Sequence, residues 1–376
     1  MSDIVNRITR RNKNNECTLP LTISAQYGLV DQISFFNKTI ASADLSNYYL
    51  LYNGDFAYNK SYSTDYEWGA VKRLDRYDKG CLSSLYIVFR PKEDLIYSDY
   101  LTHYFETKKW HRGISDIAGE GARNHGLLNM SVEDYFATKH YLPEITEQKK
   151  IASFLNLITK RIETQSKIIE NIKYYKKIIS DNFLYSKDTI SYKPLKEFGK
   201  VKNGYAFKSE NYVENGLYNI ITIANVSGDK YIQTKECNKI KDLPNDIQKH
   251  QVLQENDILI SLTGNVGRVS LATNGQHLLN QRVGLFELFD KNLTEYIYQC
   301  LSNKTFEKSM TLKGQGAAQL NIGKDDIENY LIPQPNNESK KVISLLSYID
   351  KKISIEYSLL QKYREQKSFL LSNMFI

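Results

Sequence analysis

The chain has 376 residues, 41% of them hydrophobic and 25% charged, a balance that excludes wholesale disorder and leaves room for two domains with cores of their own. A formal net charge of +7 suits a polyanionic partner without requiring one. No run of about 18 apolar residues occurs, and the opening stretch MSDIVNRITRRNKNN lacks the apolar core of a signal peptide, so no membrane partner is expected and the cytoplasm is the expected location. Cys17, Cys81, Cys237 and Cys300 form no C-x-x-C pair, which points to scattered reduced thiols rather than a zinc site or a disulfide framework.

In chain order, NYYLLYNGDFAYNK and LSSLYIVFR carry aromatic and β-branched runs bounded by turn residues, and they predict strands. A short helix is expected near Tyr97 to Lys109, and a long one over Glu147 to Leu184. The sequence then starts again. LYNIITIANV, NDILISL and QRVGLFELF predict strands, Glu295 to Lys308 a short helical stretch, and Glu338 to Phe375 a second long helix. The two long segments share 10 of 38 aligned positions, where unrelated sequences of this composition would share roughly 2 or 3. Likeness extends upstream: NGDFAY falls opposite ENDILI, WGAV opposite VGRV, and GEGARNHGLLNM opposite GQGAAQLNI. The chain therefore reads as a tandem duplication, each copy a globular region followed by a long helix.

Each long helix carries an apolar seam at alternating spacings of four and three. The positions are Ile151, Leu155, Ile158, Ile162, Gln165, Ile169, Ile172, Lys176, Ile179 and Phe183 in the first copy. In the second they are Val342, Leu346, Ile349, Ile353, Glu356, Leu360, Tyr363, Lys367, Leu370 and Met374. Five heptads without Pro or Gly predict a coiled coil, each helix roughly 57 Å long at 1.5 Å per residue. Polar residues interrupt the seams at matching places. If the helices pair antiparallel with each other, one register sets Gln165 opposite Lys367 and Glu356 opposite Lys176, which would fix the alignment. That pairing predicts two globular regions at opposite ends of a helical ruler. The expected fold is α+β: two pseudo-symmetric domains over 1–143 and 187–335, separated by a long antiparallel two-helix coiled coil formed by helices in 144–186 and 336–376.

No G-x-x-x-x-G-K-[ST] loop, Asn/Asp-Pro-Pro-Tyr tetrapeptide or strand-G-x-G pattern is present. GNVGR at Gly264 to Arg268 is a lone glycine pair. Glu147-Gln148-Lys149 has the spacing of a nuclease E-x-K but opens a helix, where a glutamate complements the dipole and the lysines are solvated. The six His are isolated from one another, so neither a catalytic residue nor a metal ligand is expected. Recognition remains. The first half offers Lys60, Trp68, Lys72, Arg73, Arg112, Arg123 and Asn124, and the second Lys208, Arg268, Asn280, Gln281, Arg282, Lys313, Gln315 and Gln319. Lys and Arg suit phosphates, while Arg on guanine and Asn or Gln on adenine form two-pronged base contacts. As a set repeated in two domains, they suit a reader of two separated half-sites on duplex DNA.

With these features the chain resembles the specificity subunit of type I restriction–modification enzymes over nearly its whole length. The resemblance rests on the order domain, helix, domain, helix, and on LNMSVEDYFATKHYLPEITEQKKIASFLNLITKRI beside LNIGKDDIENYLIPQPNNESKKVISLLSYIDKKI. TGNVGRVSLA with NQRVG, and TLPLTISAQYGLVDQ with FAYNKS, add to it. It implies a non-catalytic subunit whose two target-recognition domains each read half of a split double-stranded DNA target. Its helices would set the unread spacer and dock two methyltransferase subunits, with restriction subunits completing the complex. S-adenosylmethionine, ATP and Mg2+ would then belong to those partners, and no cofactor to this chain. The readings that compete are the recognition part of another bipartite restriction–methyltransferase system, and a coiled-coil adaptor that binds proteins only. One departure stands out: the second half opens with SYKPLKEFGKVKNGYAF, whereas Met1 already lies inside the equivalent region, with Ile4 and Val5 near the place of Phe198. Either the start is assigned late, or the first domain lacks an edge segment.

Overall fold

A computed structural model describes residues 1–61, 66–118, 127–184, 191–314 and 320–375. The chain divides into two compact units, the first built from Met1–Ser166 with Leu359–Ile376, the second from Lys167–Ser358.

The sheet of the first unit contains β1 (Val5–Arg7), β2 (Phe56–Asn59), β3 (Ala70–Arg73) and β4 (Ile87–Pro91), in the antiparallel order β1-β4-β2-β3. Successive side chains of a strand point to opposite faces, so each strand serves two cores. Phe56, Tyr58, Ile87 and Phe89 face one of them. There they meet Tyr100, Leu101 and Tyr104 of α1 (Ser98–Tyr104) and the start of α2, a helix spanning Ile145–Leu184. Ala57, Ala70 and Val88 face the other, against Leu21, Leu29, Leu51 and Leu82 of small flanking ribbons.

In the second unit the same plan recurs with β5 (Gly199–Asn203), β6 (Ile258–Ser261), β7 (Val269–Leu271) and β8 (Val283–Leu288), ordered β5-β8-β6-β7. Ile258, Ile260 and Phe286 meet Tyr296, Ile297 and Leu301 of α3 (Thr294–Leu301), together with Ile343 and Leu346 of α4, which spans Asn337–Asn373. Leu259 and Leu285 face the second core with Ile221, Leu253 and Leu279. The duplicated WGAV and VGRV stretches fall at the same turn. Gly69 and Gly267 enter β3 and β7 with φ of +77° and +78°, and a Cβ on Gly69 would lie 2.1 Å from the Asn59 carbonyl oxygen. Only glycine adopts that conformation in so tight a space without strain. Where the second unit pairs Tyr192–Pro194 with Leu331–Pro333, in the first the Ser2 amide donates to the Phe136 carbonyl and the Met1 ammonium to the Thr138 carbonyl.

Each unit contains a stretch of both long helices, and in each the two stretches run antiparallel. In the first, Ile151, Ala152 and Leu155 share a core with Leu370, Leu371 and Met374, while Arg161 Nε donates to the Tyr363 hydroxyl at 3.0 Å. In the second, Ile179 and Phe183 share a core with Val342, Ile343 and Leu346, and Lys173 Nζ donates to the Tyr357 hydroxyl at 2.7 Å. Every seam position named above is buried or half-buried.

The expected register is not what forms. Lys176 does not meet Glu356; its ammonium lies 2.6 Å from Asp350 Oδ1, nearly two turns earlier on α4, and over the Tyr298 ring. Lys367 does not meet Gln165; it pairs at 2.9 Å with Glu106, which follows α1. The physical reason is that the seams are not closed two-helix surfaces. A domain helix packs beside them and supplies or attracts carboxylates, and a lysine chooses the best-placed anion rather than its heptad partner. Gln165 and Glu356 are both buried.

Candidate nucleic-acid interface

In the second unit, polar groups gather where β5, β6 and the approach to β8 end together. Asn203, Thr263, Gln281, Arg282, Asn321 and Lys324 line an open cavity of about 440 Å³. Backbone pairing sets this geometry. The Gln281 amide donates to the Tyr205 carbonyl at 2.9 Å, Leu262 to the Arg282 carbonyl at 3.0 Å, and Ile322 to the Leu262 carbonyl at 3.0 Å. Buried Asn280 accepts the Arg282 amide on its Oδ1 at 3.2 Å, so the turn bearing Gln281 and Arg282 is braced from within. Gly204 makes that approach possible, since a Cβ there would fall 2.2 Å from the Asn280 carbonyl oxygen. The side chains of Asn203, Gln281, Arg282, Asn321 and Lys324 point their hydrogen-bonding capacity outward: among the described residues none of them has a side-chain partner. Thr263 Oγ1 is buried at the cavity with no partner either.

The corresponding place in the first unit is built by the same backbone bonds. Leu128 donates to the Lys60 carbonyl at 3.0 Å, and Ser61 bridges Leu127 as Thr263 bridges Asn321. Lys60 is half-buried there. The turn entering β4 carries Ser84 and Leu85 where the turn entering β8 carries Gln281 and Arg282, if the pairings of Phe56 with Phe89 and of Ile258 with Phe286 are taken as equivalent. Leu85 is 71% exposed.

Several other expected contacts have partners inside the protein. Arg73 donates to Asp75 at 2.6 Å and to Asp99 at 2.7 Å; burial works against its charge, but the two carboxylates hold its pKa above the usual value. Lys72 is half-buried and its pKa is lowered, chiefly by burial, with Glu106 and Lys367 close enough to act on it. Arg268 faces Glu307 at 3.4 Å, and Lys313 donates to the Asp326 carbonyl at 3.0 Å. Trp68 is half-buried on the first core, and its carbonyl accepts the Tyr58 hydroxyl at 2.8 Å. Arg112 on the His111–Ser115 helix and Lys208, 3.7 Å from Glu210, are exposed. Arg123, Asn124, Gln315 and Gln319 lie outside the described residues. Residue type alone missed Asn203, Asn321 and Lys324, because only non-local pairing brings them to Arg282. The E-x-K segment is structural. Gln148 is buried, accepts the Tyr97 amide at 2.9 Å and donates to the Pro143 carbonyl at 2.9 Å, fastening the start of α2.

Among the described residues no group of three or more His, Cys, Asp and Glu could hold a metal, and no helix is long and apolar enough to cross a membrane. What the cavity of the second unit offers is hydrogen bonding and charge.

Residues 187–362 match the family model of the type I restriction modification DNA specificity domain. A curated relative, the type I restriction enzyme MjaVIII specificity subunit of Methanocaldococcus jannaschii, is 26% identical over 77% of this chain and 71% of its own length. The type I restriction–modification S subunit from M. genitalium superposes with a TM-score of 0.60 at 14% identity, covering 100% of this chain and 94% of that one. A chain from a structure of the assembly and conformational transition of a type I system superposes at 0.58, also at 14% identity, covering 98% and 95%. The chain is thus similar over most of its length to type I restriction enzyme specificity subunits, and residues 187–362 match the model of their DNA specificity domain.

Proposed function

We propose that this chain reads a split, asymmetric duplex DNA target, one half through each globular domain, and supplies the address to a type I restriction–modification complex. The observation that carries the reading is the repetition of one sheet order, β1-β4-β2-β3 and β5-β8-β6-β7, with different side chains at the equivalent turn, Leu85 in one and Arg282 in the other. A duplicated frame with unlike reading residues suits two unlike half-sites. The family match over 187–362 supports DNA as the thing read.

On this reading, domains over 1–143 and 187–335 recognise bases while helices in 144–186 and 336–376 set the unread spacer and dock two methyltransferase subunits, with restriction subunits joining them. The chain contributes no bond-making step of its own. S-adenosylmethionine would be bound by the methyltransferase subunits, and ATP and Mg2+ by the restriction subunits.

The test is to map methylated adenines in DNA from cells expressing this chain with its methyltransferase subunit. A bipartite motif with a fixed spacer is expected, and exchanging residues 187–335 for those of a relative should change only one half. A continuous motif, or a change in both halves, would defeat the two-reader model. If the isolated complex binds duplex DNA with no fall in affinity between low and high salt, DNA recognition itself fails, because each phosphate contact adds to that slope.

A further inference from the structure

Resting on that reading, we propose that the turn entering the central strand is a base-reading position, and that Arg282 takes a guanine in the half-site read by the second domain. Three features set Arg282 apart from the other cations. Its side chain has no anion beside it among the described residues, whereas Arg73 and Arg268 face carboxylates at 2.7 Å and 3.4 Å. Its backbone is held on both sides, by Asn280 Oδ1 at its amide and by Leu262 at its carbonyl, so the guanidinium starts from a fixed point rather than a mobile loop. It also stands with Gln281, Asn203 and Asn321 in one cavity, where amides surround the single arginine and Lys324 is the other cation.

A planar guanidinium matches the O6 and N7 acceptors of guanine, and side-chain amides match adenine. Phosphates need only charge, which the long flexible stem of Lys324 supplies at the rim. The buried, unpartnered Thr263 hydroxyl at the same cavity offers one further polar group to a ligand entering it. In the first domain the same turn presents Leu85, 71% exposed, and an apolar side chain there cannot hydrogen-bond a guanine edge.

The experiment uses the full chain in complex with its methyltransferase and duplexes carrying the mapped motif, each with one base pair changed, in competition binding. For the wild type, one guanine in the second half-site should be preferred by ~10- to 100-fold over other bases, the range of one good two-pronged contact. Arg282→Ala should bring that preference near unity at that position alone and leave the first half-site unchanged. Arg282→Lys, which keeps the charge and the fold but loses the fork, should relax the same position. Lys324→Ala should weaken all duplexes alike and reduce the salt slope by about one. Full retention of base preference in Arg282→Lys, or a uniform loss in Arg282→Ala, would make Arg282 a phosphate contact and overturn the proposal while leaving the two-reader function standing. A wild-type complex that shows no preference at any position would instead defeat the function itself.

Discussion

Both units fasten the helix after their sheet to the long helices through polar groups, and they do so with different chemistry. In the first unit, His103 after the Asp99 end of α1 contacts Glu106 at 3.2 Å and Asn156 of α2 at 2.8 Å. Asn156 in turn donates to Asp99 at 2.8 Å, and Lys367 of α4 meets Glu106 at 2.9 Å. In the second, Gln299 of α3 donates to Glu295 at 2.8 Å and to Asp350 of α4 at 2.7 Å. Asp350 also draws Lys176 of α2 to 2.6 Å and Lys230 to 3.8 Å. The first joint thus centres on an imidazole and a half-exposed glutamate, and the second on a carboxylate sunk between two lysines. Shape was kept through the duplication while the charges were redistributed.

That difference predicts unequal costs of breakage. Asp350 has 6% of its side-chain surface exposed, so Asp350→Ala leaves the largely buried Lys176 without its anion, while Lys230 keeps Glu295 at 2.8 Å, and is expected to cost about 3–5 kcal/mol. The Glu106 side chain is 30% exposed, and solvent screening brings Glu106→Ala down to about 1–2 kcal/mol. Hydrogen exchange on β6 and β8 reads the first variant. Tryptophan fluorescence reads the second, because Trp68 and Trp110 both belong to the first unit. Equal losses would show that the two joints work by the same balance after all.

Acid should separate the units next. Burial holds His140 down at about 4, where Thr138 and the Tyr104 hydroxyl contact its two nitrogens at 2.8 and 2.9 Å. The unfolded chain takes up that proton near pH 6.5, so between about 6.5 and 4 it binds more protons than the folded chain and stability falls with pH. The full loss is about 3 kcal/mol. Glu106 extends the trend lower: burial raises its pKa, but His103 and Lys367 outweigh that and bring it to about 2. Its contribution is present above about 4.5 and disappears as pH falls toward 2. Urea titrations followed by tryptophan fluorescence at pH 7 and pH 4.5 should therefore show the midpoint of the first unit falling. His140→Phe should flatten the upper part of that fall, and an unchanged slope in this variant would remove His140 as its source.

What was legible in the sequence was what depends on local geometry. The seams follow from spacing, and the correspondence of WGAV with VGRV from likeness of sequence, whereas the positive φ of Gly69 and Gly267 is visible only in the fold. The stretches NYYLLYNGDFAYNK and NDILISL hold strands, since alternation is written residue by residue. Register was not legible. Lys176 and Lys367 sit in the seam by number, yet their partners are set by Asp350 and Glu106, whose positions depend on how α1 and α3 pack. The candidate site, as a cluster of polar side chains, was half legible. Gln281 and Arg282 stand out by residue type, but so do Arg73 and Arg268, and only pairing across the fold shows that the latter two face carboxylates while Arg282, among the described residues, does not.

The smallest expected effect lies along the helices, where the units are most alike. Arg161 bonds the Tyr363 hydroxyl in the first unit with its guanidinium 5.2 Å from the ring centroid, and Lys173 bonds Tyr357 in the second with its ammonium 4.9 Å from the ring. Each is a cation on α2 resting on a tyrosine of α4 at the surface, where solvent screens the charge and a long side chain must be ordered to make the contact. Arg161→Ala or Lys173→Ala should therefore cost no more than about 0.5–1 kcal/mol. Tyr363→Phe keeps the ring and removes the hydroxyl. If the cation–ring attraction dominates, that variant should be nearly neutral by tryptophan fluorescence while Arg161→Ala is not. If both lose the same amount, the hydrogen bond is the whole of the contact. A loss well above 1 kcal/mol in any of the three would mean that these surface pairs, rather than the buried joints, hold the helices together, and the contrast between Asp350 and Glu106 would lose its place as the main difference between the units.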